Sequence, residues 1–207
     1  MQINLPSGLD NTLIWFPEKG IGYHPAPPIS YEQDYWEEYR KRDASLMGDL
    51  LTQARINVVR KFTNELDFVD IGIGGGKFVE QFGCRGYDVN PSALAWLKDT
   101  DRFCSPYAAP VESISCWDAL EHIEKPWKLL RQVQKYLFVS LPIFEDCTKI
   151  TESKHYKPGE HIWYFSHNGF VRWCEEQGFE LLECSKIESE LGREGINTYV
   201  FRRKGSC

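Results

Sequence analysis

The sequence predicts an α/β chain folded on a doubly wound sheet of about seven strands, mostly parallel, with an antiparallel strand at the C-terminal end and helices ahead of the sheet. Three observations carry this. From residue 64 onward, short apolar runs alternate with stretches of helical period, the pattern of a parallel sheet covered on both faces. The first run, Leu66-Asp67-Phe68-Val69-Asp70-Ile71, ends directly in glycines. The last two runs, Phe179 to Ile187 and Ile196 to Arg202, are close enough in the chain to pair antiparallel. At 207 residues the chain suits one domain, with an arm and helices over 1–63 capping a sheet region over 64–207.

Each element follows from local chemistry. Residues 1 to 30 hold five of the eleven prolines plus Trp15, Phe16 and Tyr23. Proline fixes φ and removes a donor, so this is an extended arm, with aromatics expected to pack on its own domain, a partner-binding arm being the alternative. Ser30 can cap a helix through Tyr35, Trp36 and Tyr39. Leu46, Leu50, Ala54, Val58 and Phe62 recur every fourth residue, defining the apolar stripe of a second helix and leaving Arg55, Arg60 and Lys61 to solvent. After the first strand a helix runs through Phe78, Val79 and Phe82 and stops near Gly83. Cys84 to Val89 is a second strand, and Asn90-Pro91-Ser92 starts a helix through Leu94 and Leu97. Weak strands are expected at Phe103 to Tyr107 and Ser113 to Trp117, a helix over Pro126 to Lys135, and a clear strand at Tyr136 to Leu141. A loop then spans 142 to 165, and Ser166 caps a helix reaching Gln177. The basic tail Arg202-Arg203-Lys204 reads as a solvated strand end.

Composition narrows the class. Hydrophobic residues make up 42% and charged residues 26%, and no apolar run approaches the ~20 residues of a membrane span. Met-Gln-Ile-Asn-Leu-Pro has no secretory pattern, so a soluble, cytoplasmic protein is expected. A formal charge of -6 argues against an extended nucleic-acid surface. The seven cysteines include no Cys-x-x-Cys pair, which suits small core hydrophobes in a reducing compartment.

The strongest chemical signal is Asp70-Ile71-Gly72-Ile73-Gly74-Gly75-Gly76-Lys77, a strand turning sharply into a helix. Glycine there permits unusual backbone angles and close approach of a ligand, and the helix start offers free N–H groups. A dinucleotide turn would need glycine where Lys77 or Val79 stands, and a P-loop would need Ser or Thr where Phe78 stands. Asp88, eighteen residues beyond Asp70, closes the second strand, where a carboxylate can accept two ribose hydroxyls.

These residues fit acidic-x-Gly-x-Gly-x-Gly followed by an acidic strand end, and here the chain resembles the class I S-adenosylmethionine-dependent methyltransferases, whose scaffold is Rossmann-like. Asp118-Ala119-Leu120-Glu121-His122-Ile123 resembles the segment after that family's fourth strand. His161-Ile162-Trp163-Tyr164-Phe165-Ser166 resembles the His-x-x-x-Phe-Ser loop of its small-molecule branch. The chain is also similar to uncharacterised methyltransferase-like proteins of phages and prophages. The resemblance implies S-adenosylmethionine as cofactor, held by Asp70, Gly72, Gly74, Gly76, Asp88, Val89 and Trp117. It departs from the family in lacking a clean acidic residue on the third strand. Asp101 is the nearest candidate; backbone groups and apolar walls near Trp96, Tyr107 or Trp117 are the alternative for adenine.

If the accepting atom is a hydroxyl oxygen, a base helps remove its proton. His122 and His161 are the candidates, with His155 a third, and Asp118 can touch donor or acceptor; the bland alternative is that Glu121 and His122 cap a helix. Trp163, Tyr164 and Phe165 form either an aromatic lid or core. His155, His161 and His167 are spaced by six, which suits no compact zinc motif, so no metal is expected. A Pro-Pro-aromatic motif after the fourth strand and a Pro-Cys dipeptide, marks of the family's DNA-modifying branches, are absent. The acceptor expected is a small molecule, nucleotide or modified base, with O-methylation slightly favoured. The rival reading is a non-catalytic donor-binding or interaction protein on the same scaffold. Whether the chain acts as monomer or homodimer is left open.

Overall fold

A computed structural model describes residues 13–24, 33–64, 66–145 and 147–206. In chain order the elements are β1 (Ile14–Phe16), β2 (Ile21–Tyr23), α1 (Gln33–Asp43), α2 (Leu46–Arg60), β3 (Phe68–Ile71), α3 (Lys77–Phe82), β4 (Arg85–Tyr87), α4 (Pro91–Asp99), β5 (Val111–Trp117), α5 (Pro126–Leu130), β6 (Val133–Pro142), β7 (Trp163–Phe165), α6 (His167–Glu176), β8 (Phe179–Ser185), α7 (Ile187–Glu190) and β9 (Ile196–Arg203). Two 3-10 turns, Leu120–His122 and Cys147–Glu152, lie between them. No helix among the described residues is long and apolar enough to cross a membrane.

The main sheet has six strands in the order β4-β3-β5-β6-β9-β8. The first four are parallel, and β9 runs antiparallel between β6 and β8. Six replaces the expected seven because the segment near Phe103 makes one bridge to Gly86 rather than a strand from Phe103 to Tyr107. The short chain between Asp88 and Val111 is used by α4, leaving too few residues for a full ladder. The helix expected over Pro126 to Lys135 stops at Leu130, because β6 begins at Val133 to pair with Val111.

Strand alternation sorts side chains onto two faces. Val69, Ile71, Ile114, Cys116, Leu137, Val139, Leu141, Tyr199 and Phe201 form one core with Phe170 and Cys174 of α6. Phe68, Trp117, Phe138 and Val200 form the other with Ile56, Val59, Phe78 and Leu97. On this second face the strands also present polar atoms: Ser115 Oγ donates to Asp70 Oδ1 at 2.5 Å, and Ser140 Oγ lies 3.0 Å from Thr198 Oγ1.

That polar stripe explains a correction to α2. Its buried residues are Gly48, Thr52, Ile56, Val58 and Val59, whereas Leu46 is 75% exposed and Leu50 44%. The helix turns Thr52 and Arg55 toward the polar sheet edge, so Arg55 is inward rather than solvated. Arg60 and Lys61 are exposed as expected. The tail is likewise corrected: Arg203 donates to the carbonyls of Val133, Gln177 and Leu130, and its guanidinium sits 4.1 Å from the Phe179 ring centroid. The carbonyls at the ends of α5 and α6 and at the start of β6 hold it there.

The arm contributes a hairpin. β1 pairs with β2 and β2 with β7, an antiparallel three-stranded sheet that breaks the loop expected over 142 to 165. Leu13 and Trp15 pack with Phe144, Ile150 and Tyr164, so this part of the arm lies on its own domain. Tyr164 and Phe165 are core, not lid. The Ser30 cap falls outside the described residues. Ser166 does cap α6, its Oγ accepting from Gly169 N at 3.1 Å.

Helix α1 docks directly on the glycine turn. A Cβ at Gly75 would lie 2.6 Å from Asp43 Oδ2 and 2.7 Å from the Tyr39 carbonyl oxygen. Arg40 completes the joint by donating to the Gly75 carbonyl at 2.9 Å while its guanidinium sits near the rings of Trp36 and Trp96. Gly75→Ala is expected to cost about 1–3 kcal/mol, the range for overpacking, read as a lowered urea midpoint with an unchanged slope.

Candidate functional site

The C-terminal ends of β3, β4 and β5 open into a cleft of about 970 Å³, roofed by α1 and α2 and walled on the far side by residues of the 120–124 and 159–162 segments. One wall is the glycine turn. Gly72 and Gly74 have φ of 73° and 56°, and a Cβ on Gly72 would sit 2.7 Å from that of Ala119. The turn is held by Asp88, whose Oδ2 accepts from Ile73 N at 2.9 Å and whose Oδ1 accepts from Asn90 N at 2.8 Å. Burial raises the Asp88 carboxyl, and the backbone donors oppose it. Asp70 is deeper. Burial pushes it up to about 8, with the Ser115 hydroxyl and Arg55 pulling down and the carboxylates of Asp88 and Asp43 pushing the same way as burial.

The cleft brings together most of the predicted residues: Asp70, Gly72, Gly74, Asp88, Val89, Trp117, Asp118 and His122 all line it. Gly76 does not; it caps α3 with its back to the Trp96 ring, which therefore packs behind the turn. Tyr107 and Trp117 line the cleft, and Asp101 does not. The buried Trp117 Nε1 has no hydrogen-bond partner. His155 is turned to the Glu194 carbonyl, 2.7 Å away.

His161 stands one layer behind His122, their rings edge to face with centroids 4.7 Å apart. His122 Nδ1 lies 2.8 Å from the Glu160 carbonyl oxygen, an acceptor, so Nδ1 carries the proton and Nε2 the lone pair. Burial lowers both rings, His161 to about 3 with His122 adding to the effect.

Beside them lies a cluster that the sequence did not reveal. Arg55 of α2 grips Glu188 of α7 through Nε at 2.8 Å and Nη2 at 2.9 Å, and reaches Asp118 at 3.3 Å. Arg193 bonds both Asp118 and Glu188. The Arg55 guanidinium also sits 5.2 Å from the Trp117 ring centroid. Two cations and two anions thus share a desolvated floor and hold Asp118 in its left-handed conformation at φ 53°. A 133-residue separation hides the Arg55–Glu188 pair from any local pattern.

The arrangement offers a backbone cradle and two carboxylates on one side, and imidazoles with an organised carboxylate on the other. The methyltransferase domain family matches residues 35–184 of the chain. No curated protein matches it in sequence. Among solved structures, magnesium protoporphyrin IX methyltransferase from Synechocystis PCC 6803 with bound SAH superposes at a TM-score of 0.57 and 12% identity, over 83% of this chain and 94% of that one. A SAM-dependent methyltransferase from Thermotoga maritima gives 0.56 and 17%, over 83% and 97%. The chain bound to the Trm112 methyltransferase activator of Haloferax volcanii gives 0.61 and 14%, over 84% and 98%. At these identities the likeness is one of fold.

The charged floor makes a testable demand. Burial alone would raise Glu188, but Arg55 and Arg193 more than reverse it and bring the carboxyl to about 2. A carboxyl depressed in the folded state stabilises it above the ordinary value near 4.5, and that stability is lost as pH falls toward 2. Glu188→Gln should cost about 2–3 kcal/mol at pH 7, below the range for a fully buried pair, because two half-buried guanidiniums lose a buried partner. Urea titrations from pH 7 to 2 should show a smaller acid-dependent loss in the variant than in the wild type.

Proposed function

The chain belongs to the methyltransferase domain family and is by that membership an S-adenosylmethionine-dependent methyltransferase, and we propose that it methylates a small molecule, nucleotide or modified base, with oxygen favoured as the accepting atom. The observation that carries the reading is a single cleft with both halves of a transfer site: the glycine turn and its carboxylates on one wall, His122 and Asp118 on the other. At about 970 Å³ it lies at the upper end of small-ligand sites, room for a donor and a compact acceptor together. The net charge of -6 supports a free small acceptor over a polyanion.

In this reading Asp88 accepts the ribose hydroxyls with the lone pairs its backbone bonds leave free. Gly72 and Gly74, with Gly76 shaping the turn behind them, bring the backbone close to the donor. Asp70 faces the donor's ammonium, and Val89, Tyr107 and Trp117 wall the adenine. Of the region before residue 64, α1 and α2 act as a cap of the same domain and close the donor in. His122 and Asp118 form the wall that meets the acceptor and assists loss of its proton, with His161 acting from behind through the His122 ring. Methyl transfer from a sulfonium extinguishes charge in the donor, so alignment of acceptor and methyl carbon contributes most of the rate.

Two measurements check the donor side. Isothermal titration with the demethylated product should show Asp88→Ala binding weaker by about 1.5–3 kcal/mol, the range for losing a charged acceptor. Asp70, held near 8, is protonated at pH 7 in the free protein, and an ammonium beside it favours the carboxylate. Binding should therefore release a proton, and affinity should rise from pH 6 to 8; Asp70→Asn should abolish both effects, as read in buffers of different ionisation enthalpy. For the acceptor, methyl-labelled donor incubated with fractionated cell extract should place label in the low-mass pool. Label confined to polynucleotide or protein would overturn the assignment.

A further inference from the structure

Behind the cleft wall lies an unexplained set of polar atoms. Glu121 is 1% exposed, and neither of its carboxylate oxygens has a hydrogen-bond partner. His161 is 5% exposed, and its Nδ1 has none either. One donor atom from each of Glu121, His122 and His161 lies within 4.8 Å of the other two. A buried carboxylate with no partner among the described residues is costly, and a proton alone does not resolve the cost, since a neutral acid would bring a hydroxyl that also needs an acceptor.

We propose that Glu121, His122 and His161 hold a divalent first-row transition ion of the zinc or manganese class, facing the acceptor end of the cleft. The ring nitrogens are already assigned for it. His122 Nδ1 is committed to the Glu160 carbonyl, leaving the Nε2 lone pair. His161 offers Nδ1, buried and without a hydrogen-bond partner among the described residues, beside the His122 ring whose other nitrogen that carbonyl holds. Metal-ligating histidines characteristically give their second nitrogen to a carbonyl in this way, which fixes tautomer and ring orientation. The two segments are tied together, Ile162 N donating to the Glu121 carbonyl at 2.9 Å. Bonds of about 2.0–2.2 Å set donor atoms roughly 3–4 Å apart, so closure asks for side-chain rotation and no backbone movement.

Two imidazoles and one carboxylate leave coordination positions open, the arrangement of catalytic rather than structural ions. His122 lines the cleft, so an open position faces the acceptor. This use of the ion rests on the transfer reading above. The acceptor's hydroxyl binds the ion and loses its proton to solvent. Its oxygen then bonds the methyl carbon as the carbon–sulfur bond breaks, and the donor leaves as a neutral thioether. Metal binding itself needs none of this.

The test uses the full chain stripped with chelator and titrated with Co²⁺ and Mn²⁺. One equivalent of Co²⁺ should develop a visible d–d band, and one Mn²⁺ should bind by electron paramagnetic resonance. Glu121→Gln and His161→Gln should each weaken binding by 10–100-fold, while His167→Gln, whose ring meets Tyr199 elsewhere, should not. Affinity for the demethylated product, measured metal-free on every variant, reports folding and the donor site separately. Unchanged product affinity with no ion bound by the wild type, or ion binding that survives in both variants, overturns the metal site and leaves the donor reading intact. Loss of product binding by the wild type would strike the donor reading instead.

Discussion

The glycine turn after β3 is the constraint on which the rest of the structure depends, because it is crowded from both sides. Toward the cleft, Asp88 draws in the Ile73 N–H. From the roof, Tyr39 and Asp43 of α1 press against Gly74 and Gly75, and from behind, Trp96 presses against Gly76. The glycines thus serve two purposes. Gly72, Gly74 and Gly76 bend the chain through positive φ, while Gly75 and Gly76 make room for the protein's own helices. One turn therefore shapes the cleft and attaches its roof.

Desolvation is the second theme. The sheet face beneath α2 carries Asp70, Ser115, Ser140 and Thr198 where a simple α/β protein would carry aliphatics. That face is tolerable because its polar atoms pair with one another and because Arg55 and Arg193 neutralise Asp118 and Glu188. Breaking such a set is costlier than never having built it, so the floor acts as a rigid base for the cleft. Glu121 stands outside this set, its buried carboxylate oxygens without partners among the described residues, and its closeness to His161 Nδ1 and to His122 is what marks the three as a site.

Much of this was legible in the sequence wherever the signal was local. The turn, the stop at Gly83, the Ser166 cap, the terminal antiparallel pair and the placement of Asp88 beside the glycines all follow from neighbouring residues. What was not legible depends on distant partners. A stripe at every fourth residue suggested the wrong inward face for α2, because Arg55 is drawn to Glu188 across 133 residues. The hairpin of the arm needed β7 as its third strand, and the histidine spacing along the chain hid that His161 meets Glu121 and His122 rather than His155 and His167. Nothing in a linear pattern distinguishes a full third strand from the single bridge at Phe103.

The far wall of the cleft draws on both sheets: Asp118 and His122 follow β5 of the larger one, and Glu160 and Ile162 lead into β7 of the smaller. The glycine turn and Asp88 ride on the six-stranded sheet, whereas His161 precedes β7 of the three-stranded one, joined to the larger by the Ile143–Phe165 bridge and the bond from Phe144 N to the Phe165 carbonyl. That seam is packed rather than loose, because Phe165 of β7 is buried in the same core as Val69, Ile114 and Phe170. The N-terminal hairpin, paired along β7, adds backbone bonds to the segment that carries His161, so residues remote from the glycine turn help to hold the far side of the cleft in place.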